Sequence, residues 1–201
     1  MKIICIGRNY SEHAKELNNE VPKEPVLFMK PDTALLKSND FYLPDFSNDI
    51  HYEAEIVLKI SKGGKYIQPE NAHKHFDTIA LGIDFTARDL QSKLKEKGLP
   101  WEVAKGFDGS AVVSPFFDKS EFNLSSVQFQ LHQNKTIVQN GNTQMMLFSA
   151  EKIIAYASQF FTLRVGDLIF TGTPKGVGKV NENDRLEGYL ADKKVLDIRI
   201  L

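Results

Sequence analysis

Apolar residues occur along the chain in short runs that polar or glycine-containing turns separate, a pattern typical of β-strands. The clearest runs are residues 2–6, which Gly7 ends, residues 26–29 and residues 79–85. Each run is shorter than the roughly 10 residues that most helices need. We therefore predict a buried strand at each of these places.

In residues 52–60, with the sequence YEAEIVLKI, apolar residues occupy every second position, and most of the residues between them are charged. Successive side chains of a strand point to opposite faces. The alternation therefore predicts a strand on which Glu53 and Glu55 share one face.

Two antiparallel strand pairs are predicted in the second half of the chain. The first pair turns at Asn134 and Lys135, after a segment in which apolar and polar residues alternate. The predicted pairs are residues 127–133 with 136–139, and residues 185–190 with 195–201.

Helical signals are fewer and shorter. Ser11 is a candidate N-cap for a helix over residues 12–17, and Gly98 is a stop signal after a helix over residues 87–97. Ser149 is a further candidate N-cap, because the apolar residues that follow it have the helical period near 3.6. Because strands outnumber helices and do not alternate regularly with them, we predict an α+β fold instead of a doubly wound sheet.

Length and composition indicate one ordinary globular domain. The chain has 201 residues, of which 42% are hydrophobic and 25% charged. This is close to the size of a single domain, and the apolar fraction is high enough for a hydrophobic core. We predict a single domain over residues 1–201.

Charge and cysteine content exclude several classes of function. The net charge of -1 gives no basic surface for a nucleic acid or an anionic membrane, so we expect a small-molecule partner. No apolar run approaches the roughly 18 residues of a transmembrane helix, and no signal peptide is recognisable. The single cysteine, Cys5, rules out an internal disulfide and fits a reducing compartment, so we expect a cytoplasmic protein.

Three carboxylates form the first candidate site. Glu53 and Glu55 lie two residues apart on the predicted strand, roughly 7 Å along it, which allows both to reach one divalent ion. Asp84 follows the apolar run IALGI, where a buried carboxylate needs a cation or hydrogen bonds to compensate its desolvation. A solvated strand face for the glutamates and a helix N-cap for Asp84 are the structural alternatives.

Three further residues are candidates for acid–base chemistry. Lys105 lies in the weakly polar segment LPWEVAKGFD, where its ammonium group needs an anionic partner, unless it is an exposed loop lysine. His13 and Glu16 are three residues apart on a predicted helix, so the carboxylate can orient the imidazole. A surface contact is the alternative for this pair.

Two familiar catalytic motifs are not matched. Residues 172–180, GTPKGVGKV, look like a phosphate-binding loop, but five residues instead of four separate the glycines and Val180 replaces serine or threonine. The chain contains no GxSxG sequence, which argues against an ordinary serine hydrolase.

Six segments in order resemble the fumarylacetoacetate hydrolase superfamily, and within it the short branch of acylpyruvate hydrolases and oxaloacetate decarboxylases. The similarity covers nearly the whole chain. The segments are CIGRNYSEHAKEL, HYEAEIVLKI, GIDFTARDLQ, GLPWEVAKGFD, GNTQMMLF and FTGTPKGVG.

The resemblance implies the fold of the family's C-terminal catalytic domain, a mixed β-sandwich roll with short helices. It implies an enzyme that cleaves small 2-oxo acids through a metal-stabilised enolate and that is a homodimer. It also implies a lid, carrying the dyad, that orders over ligand. The implied roles are Mg²⁺ or Mn²⁺ binding for Glu53, Glu55 and Asp84 (with Ca²⁺ as a substitute in crystals), a catalytic dyad of His13 and Glu16, substrate contact for Lys105, and a substrate pocket lined by Arg88, Gln91 and Thr173.

Two alternatives stay open. The same metal site could serve an isomerase or hydratase of 2-hydroxydienoates, of the 2-hydroxyhepta-2,4-diene-1,7-dioate type. A catalytically silent protein that holds a structural ion or ligand is the other alternative. The presence of Lys105, His13 and Glu16 disfavours it, because structural ion binding needs none of them.

Overall fold

The computed structural model describes residues 1–16 and 21–201, and within residues 13–15 the backbone only. Fifteen strands and five α-helices occupy this part of the chain. The strands are β1 (Ile3–Gly7), β2 (Val26–Lys30), β3 (Asp40–Phe41), β4 (Ile50–Tyr52), β5 (Ala54–Ile60), β6 (Phe76–Asp84), β7 (Thr86–Ala87), β8 (Ala111–Val113), β9 (Phe117–Asp118), β10 (Gln128–Gln133), β11 (Thr136–Asn142), β12 (Leu168–Phe170), β13 (Gly178–Lys179), β14 (Arg185–Leu190) and β15 (Lys193–Ile200). The helices are α1 (Ser11–Glu16), α2 (Pro69–Ala72), α3 (Arg88–Glu96), α4 (Glu102–Lys105) and α5 (Ala150–Phe160).

The largest sheet has seven strands in the order β2-β1-β12-β5-β6-β8, with β9 also paired to β6. Strands β1 and β12 are parallel and the other pairs are antiparallel. Its central strands are buried on both faces, which explains why they are rich in isoleucine, leucine and valine.

Two smaller sheets complete the architecture. A five-stranded sheet has the order β11-β10-β14-β15-β3, and a three-stranded sheet has the order β13-β4-β7. The mixed sheets with five short helices confirm the predicted α+β class. None of the helices in the described residues is long and apolar enough to cross a membrane.

The large sheet separates two apolar clusters. From β5, the side chains of Ala54, Ile56 and Leu58 join the main core, whereas Val57 joins a second cluster on the opposite face. The alternation predicted for this segment is therefore present, but both faces are covered. Cys5 lies in the second cluster, and burial raises the pKa of its thiol, so it packs as a small apolar side chain.

One predicted strand is divided in the structure. The segment predicted as residues 52–60 is interrupted at Glu53, because β4 pairs with β13 and β7 whereas β5 pairs with β12 and β6. The chain changes sheets at this residue. The sequence pattern could not predict this change of sheet, since an alternation of apolar and polar residues is typical of a strand in either sheet.

Candidate active site

The three predicted carboxylates converge because of the register of two neighbouring strands. Glu55 on β5 lies opposite Gly82 on β6, and the backbone N–H of Asp84 donates to the carbonyl of Glu53 at 2.8 Å. Residues opposite one another point to the same face of a sheet. One oxygen of each of the three carboxylates therefore lies within 4.8 Å of the others, and all three residues are buried.

Cationic side chains surround this cluster. The ammonium group of Lys105 lies 2.7 Å from Glu53 Oε2 and 2.8 Å from Asp84 Oδ2. Arg88 Nη2 donates to Glu53 Oε1 at 2.5 Å. The cluster is thus bound on one side by donors that keep Glu53 and Asp84 in fixed orientations.

Glu55 is buried where a negative charge is unfavourable. Burial raises the pKa of the Glu55 carboxyl well above its ordinary value, and the negative charges of Asp84 and Glu53 raise it further. Its Oε2 accepts a hydrogen bond from the backbone N–H of Gly172 at 2.6 Å. A cation bound in the cluster would therefore favour the ionised form of Glu55.

Burial lowers the pKa of Lys105, but the charges of Asp84 and Glu53 outweigh that effect and the pKa is raised overall. The lysine is therefore a cation at neutral pH. The alternative interpretation of Lys105 as an exposed loop lysine is wrong. Helix α4 places the residue against the carboxylates, with 2% of its surface exposed.

Gly172 is required at its position for two reasons. Its φ of +99° lies in the left-handed region, and a Cβ there would lie 2.6 Å from the Cβ of Asn9. Asn9 itself donates to the carbonyls of Phe148 and Thr171 and accepts from the N–H of Phe148. This fixed turn aims the Gly172 N–H at Glu55.

Lys30, at the end of β2, was not identified from the sequence. Its buried ammonium group lies 2.8 Å from Asp84 Oδ1 and 3.0 Å from Ser110 Oγ, and it contacts the carbonyl of Lys105. The approach to Asp84 is an ion pair without hydrogen-bond geometry, so Oδ1 accepts no hydrogen bond. A lysine directly after the apolar run VLFM was the available signal, because a buried ammonium group needs an anion.

The donor set fits a hard divalent cation. It consists of three carboxylates, which are the ligands that Mg²⁺, Mn²⁺ and Ca²⁺ prefer over thiophilic metals. Asp84 Oδ1 accepts no hydrogen bond, and burial together with the charges of Asp84 and Glu53 raises the pKa of Glu55. The triad of Glu53, Glu55 and Asp84 could therefore bind a divalent metal. The alternative for Asp84 as a helix cap is wrong, since Ala87 occupies the N-cap position of α3.

The residues predicted to line a substrate pocket lie in one cleft with the glutamates. Arg88, Gln91, Lys105 and Thr173 all contribute to its walls. Gln91 Oε1 accepts from Arg88 Nη1 at 2.6 Å. The hydroxyl of Thr173 donates to the carbonyl of Ala54 at 2.9 Å, so Thr173 also ties the loop after β12 to β5.

The predicted dyad is described only in part. His13 lies in helix α1, but its side chain is outside the described residues, and so is part of the predicted lid that carries the dyad. Glu16 accepts a hydrogen bond from the backbone N–H of Gly176 at 3.0 Å. This contact connects α1 to the glycine-rich loop that follows β12. The catalytic role of the dyad stays a prediction.

The cleft also contains residues that the sequence did not point to. Phe28 and Trp101 form an apolar wall, with ring centroids 5.9 Å apart. Two basic residues, Arg8 and Lys95, lie along the same cleft. No local pattern marked these four, because they come from separate elements that only the fold brings together.

A model of the fumarylacetoacetate (FAA) hydrolase C-terminal family matches residues 2–200. The chain is 42% identical over 187 residues to a mitochondrial oxaloacetate tautomerase of Mus musculus, covering 92% of this chain and 85% of the relative. It is also 42% identical over 182 residues to a mitochondrial oxaloacetate decarboxylase of Dictyostelium discoideum, covering 89% of this chain and 84% of that one.

A solved structure agrees with the sequence relatives. Fumarylpyruvate hydrolase from Pseudomonas aeruginosa, solved in complex with Mn²⁺ and pyruvate, superimposes with a TM-score of 0.95 at 35% identity. The match covers 100% of this chain and 89% of that protein. The fold of the present chain is therefore that of the family's catalytic domain.

Proposed function

The chain belongs to the fumarylacetoacetate hydrolase family, and from that premise we propose that it is a divalent-metal-dependent enzyme that cleaves small 2-oxo acids. The proposed reactions are C–C hydrolysis of acylpyruvates and decarboxylation of oxaloacetate. The observation that carries the proposal is the buried triad of Glu53, Glu55 and Asp84, of which both glutamates line the cleft.

The chemistry follows from charge. A bound Mg²⁺ or Mn²⁺ would act as a Lewis acid that stabilises negative charge on the substrate's keto oxygen. Lys105 supplies a second positive charge beside the carboxylates, and its ammonium group can donate a hydrogen bond or a proton to the reacting part of the substrate. Arg88 holds Glu53 in place, and the backbone N–H of Gly172 holds Glu55.

The two proposed reactions differ in whether they need His13 and Glu16. Hydrolysis of an acylpyruvate needs an activated water molecule to attack the distal carbonyl, and we assign this base role to His13, oriented by Glu16. Decarboxylation of oxaloacetate releases CO₂ and needs no water attack. His13→Ala should therefore reduce acylpyruvate hydrolysis more than oxaloacetate decarboxylation. Equal losses in the two steady-state assays would contradict the base role.

The metal dependence has a direct test. Purified protein is treated with EDTA, dialysed, and assayed with oxaloacetate and an acylpyruvate before and after addition of Mg²⁺ or Mn²⁺, following ultraviolet loss of the enol and release of pyruvate. We expect activity only with metal, and none from Glu53→Ala or Asp84→Ala. Glu70→Ala, at an exposed position on α2, is the matched control. Full activity of the EDTA-treated protein would refute the proposal.

A second candidate reaction is isomerisation of the keto and enol forms of a 2-oxo acid or of a 2-hydroxydienoate. The position of Lys105 supports it, because its ammonium group lies beside the carboxylates of the triad, and isomerisation needs a proton donor near the reacting carbon but no attacking water. The same assay separates the reactions. An isomerase removes the enol absorbance without releasing pyruvate or CO₂.

Further properties are proposed on the family resemblance. We propose one catalytic domain over residues 1–201, Mg²⁺ as the resident ion, a homodimer, and a cytoplasmic location. Light scattering of the purified protein tests the dimer, and metal analysis of protein purified without added metal tests the ion.

A further inference from the structure

The ladder that joins β4 to β7 places Arg88 diagonally across from His51. His51 on β4 lies opposite Thr86 on β7, and the backbone N–H of Arg88 donates to the carbonyl of Asp49 at 2.8 Å. Residues two apart on a strand point to the same face, and so do residues opposite one another. Asp49, His51 and Arg88 therefore share one face of this ladder.

The side chain of Arg88 runs along this face past His51. Its backbone lies level with Asp49, and its Nη2 donates to Glu53 Oε1 at 2.5 Å. Its Nη1 donates to Gln91 Oε1 at 2.6 Å. Because His51 lies between Asp49 and Glu53 along the chain, the middle of the arginine side chain, which contains Nε, passes beside the imidazole ring.

Two buried nitrogen atoms at this place are a matched donor and acceptor. In the part of the chain that the structure describes, neither Arg88 Nε nor His51 Nδ1 has a hydrogen-bond partner. The other ring nitrogen of His51, Nε2, lies 3.0 Å from Asp49 Oδ1. Because an ionised carboxylate only accepts hydrogen bonds, Nε2 carries the proton, and Nδ1 of the neutral ring is an acceptor.

The surroundings keep the imidazole of His51 neutral. Burial lowers its pKa, and the positive charge of Arg88 lowers the pKa further, against the opposing effect of Asp49. A protonated ring would also turn a second N–H donor toward the guanidinium group. The neutral ring is therefore the form that suits its neighbour.

We propose that His51 is a positioning residue: its Nδ1 accepts a hydrogen bond from Arg88 Nε and so fixes the arginine that holds Glu53. The two nitrogen atoms are not bonded to each other in the structure, so one side chain must rotate to form the bond. Leaving both buried groups without a partner costs more than a side-chain rotation of about 30°. With this bond, each nitrogen of the guanidinium group has an acceptor.

The consequence for metal binding rests on the proposed function, whereas the hydrogen bond itself does not. Substitution of a residue that orients a metal ligand typically weakens metal binding about 10- to 100-fold. His51 acts on Glu53 only through Arg88. Loss of its Nδ1 should therefore weaken metal binding at the lower end of this range without removing a ligand.

Nuclear magnetic resonance of the ¹⁵N-labelled protein tests the hydrogen bond directly. We expect a scalar coupling between Arg88 Nε and His51 Nδ1 across the bond, with the arginine signal assigned by its absence in Arg88→Lys. The Nε–H should exchange with water about 10-fold more slowly in wild type than in His51→Gln. A wild-type protein without this coupling, or with the exchange rate of His51→Gln, would overturn the proposal.

Two substitutions separate the roles of the ring nitrogens. Asparagine places its amide oxygen where Nδ1 lies and loses the contact with Asp49, whereas glutamine can keep that contact and has no acceptor at the Nδ1 position. In calorimetric titration of EDTA-treated protein with Mn²⁺, His51→Gln should weaken binding about 10-fold and His51→Asn about 3-fold or less.

His132→Gln is the matched control. His132 also contacts, through Nε2, a residue two positions before it, Gln130 at 3.1 Å, but it lies on β10 in the five-stranded sheet. This variant should bind Mn²⁺ like wild type. Equal weakening by His51→Gln and His51→Asn would overturn the positioning role and leave the metal site intact. If wild type binds no Mn²⁺, the proposed function fails, and the coupling between the two nitrogens alone decides the hydrogen bond.

Discussion

Substitution of Glu55 by glutamine should stabilise the metal-free protein while weakening its metal binding. Glu55 is buried, and one of its oxygens lies within 4.8 Å of oxygens of Glu53 and Asp84. Glutamine has nearly the same shape, and its amide oxygen can still accept the hydrogen bond from Gly172. The substitution therefore removes charge and leaves the packing unchanged.

The size of the effect follows from Coulomb's law. At an effective dielectric constant of about 20, two like charges 4.8 Å apart repel by about 3.5 kcal/mol. Glu55 faces two such charges, and the nearby ammonium group of Lys105 offsets part of the repulsion. We expect a net gain of about 1–3 kcal/mol in the free energy of unfolding, which is about 3–10 °C in melting temperature for a chain of this length.

The gain should depend on pH. Burial first, and then Asp84 and Glu53, raise the folded-state pKa of Glu55. Between the unfolded value of about 4.3 and that raised value the native state binds more protons than the unfolded state, so wild-type stability falls as pH rises. The difference between Glu55→Gln and wild type should therefore be near zero at the acidic end of this window and largest above it.

Thermal unfolding between pH 5 and 9 in EDTA, followed by circular dichroism, measures the gain, and Glu70→Gln serves as the exposed control. Addition of Mg²⁺ at about 100 times its Kd should stabilise wild type by about 2.7 kcal/mol and the variant by less. A variant that melts below wild type in EDTA at pH 8 would refute the argument that three like charges are crowded in this cluster.

Two further substitutions test the surroundings of the triad. Lys30→Met should lower stability by about 3–5 kcal/mol, because it removes one of the two ammonium groups that pair with the buried carboxylate of Asp84, whereas Lys37→Met at an exposed position should change little in the same denaturant titration. Gly172→Ala should destabilise more than Gly98→Ala in thermal unfolding: both glycines have a positive φ, but only the first would bring a Cβ within 2.6 Å of Asn9. Similar losses for the two alanine variants would show that the close approach has no effect.

Several elements followed from local sequence alone. The turn at Asn134 and Lys135 was predicted, and both residues adopt a positive φ between β10 and β11. Ser149 was predicted as an N-cap, and its side chain accepts a hydrogen bond from the N–H of Lys152. Glu53 and Glu55 were predicted to share a face, and the acidic cluster contains both. These features depend on residues close together in the chain.

The family was also recognisable from the sequence, because six ordered segments are a specific signal even where each one is weak. The family model and the relatives confirm the family. The roles of His13 and Glu16 remain predictions, and their test is kinetic.

What only the tertiary structure decided is which distant residues meet. The register of β5 against β6 places Asp84 beside Glu53, and β2 brings Lys30 to the other side of that aspartate. Arg8 and Lys95 reach one cleft from a strand end and a helix. Side-chain periodicity fixes the face on which a residue lies, but strand pairing and burial between remote segments fix its neighbours, and no local pattern encodes that pairing.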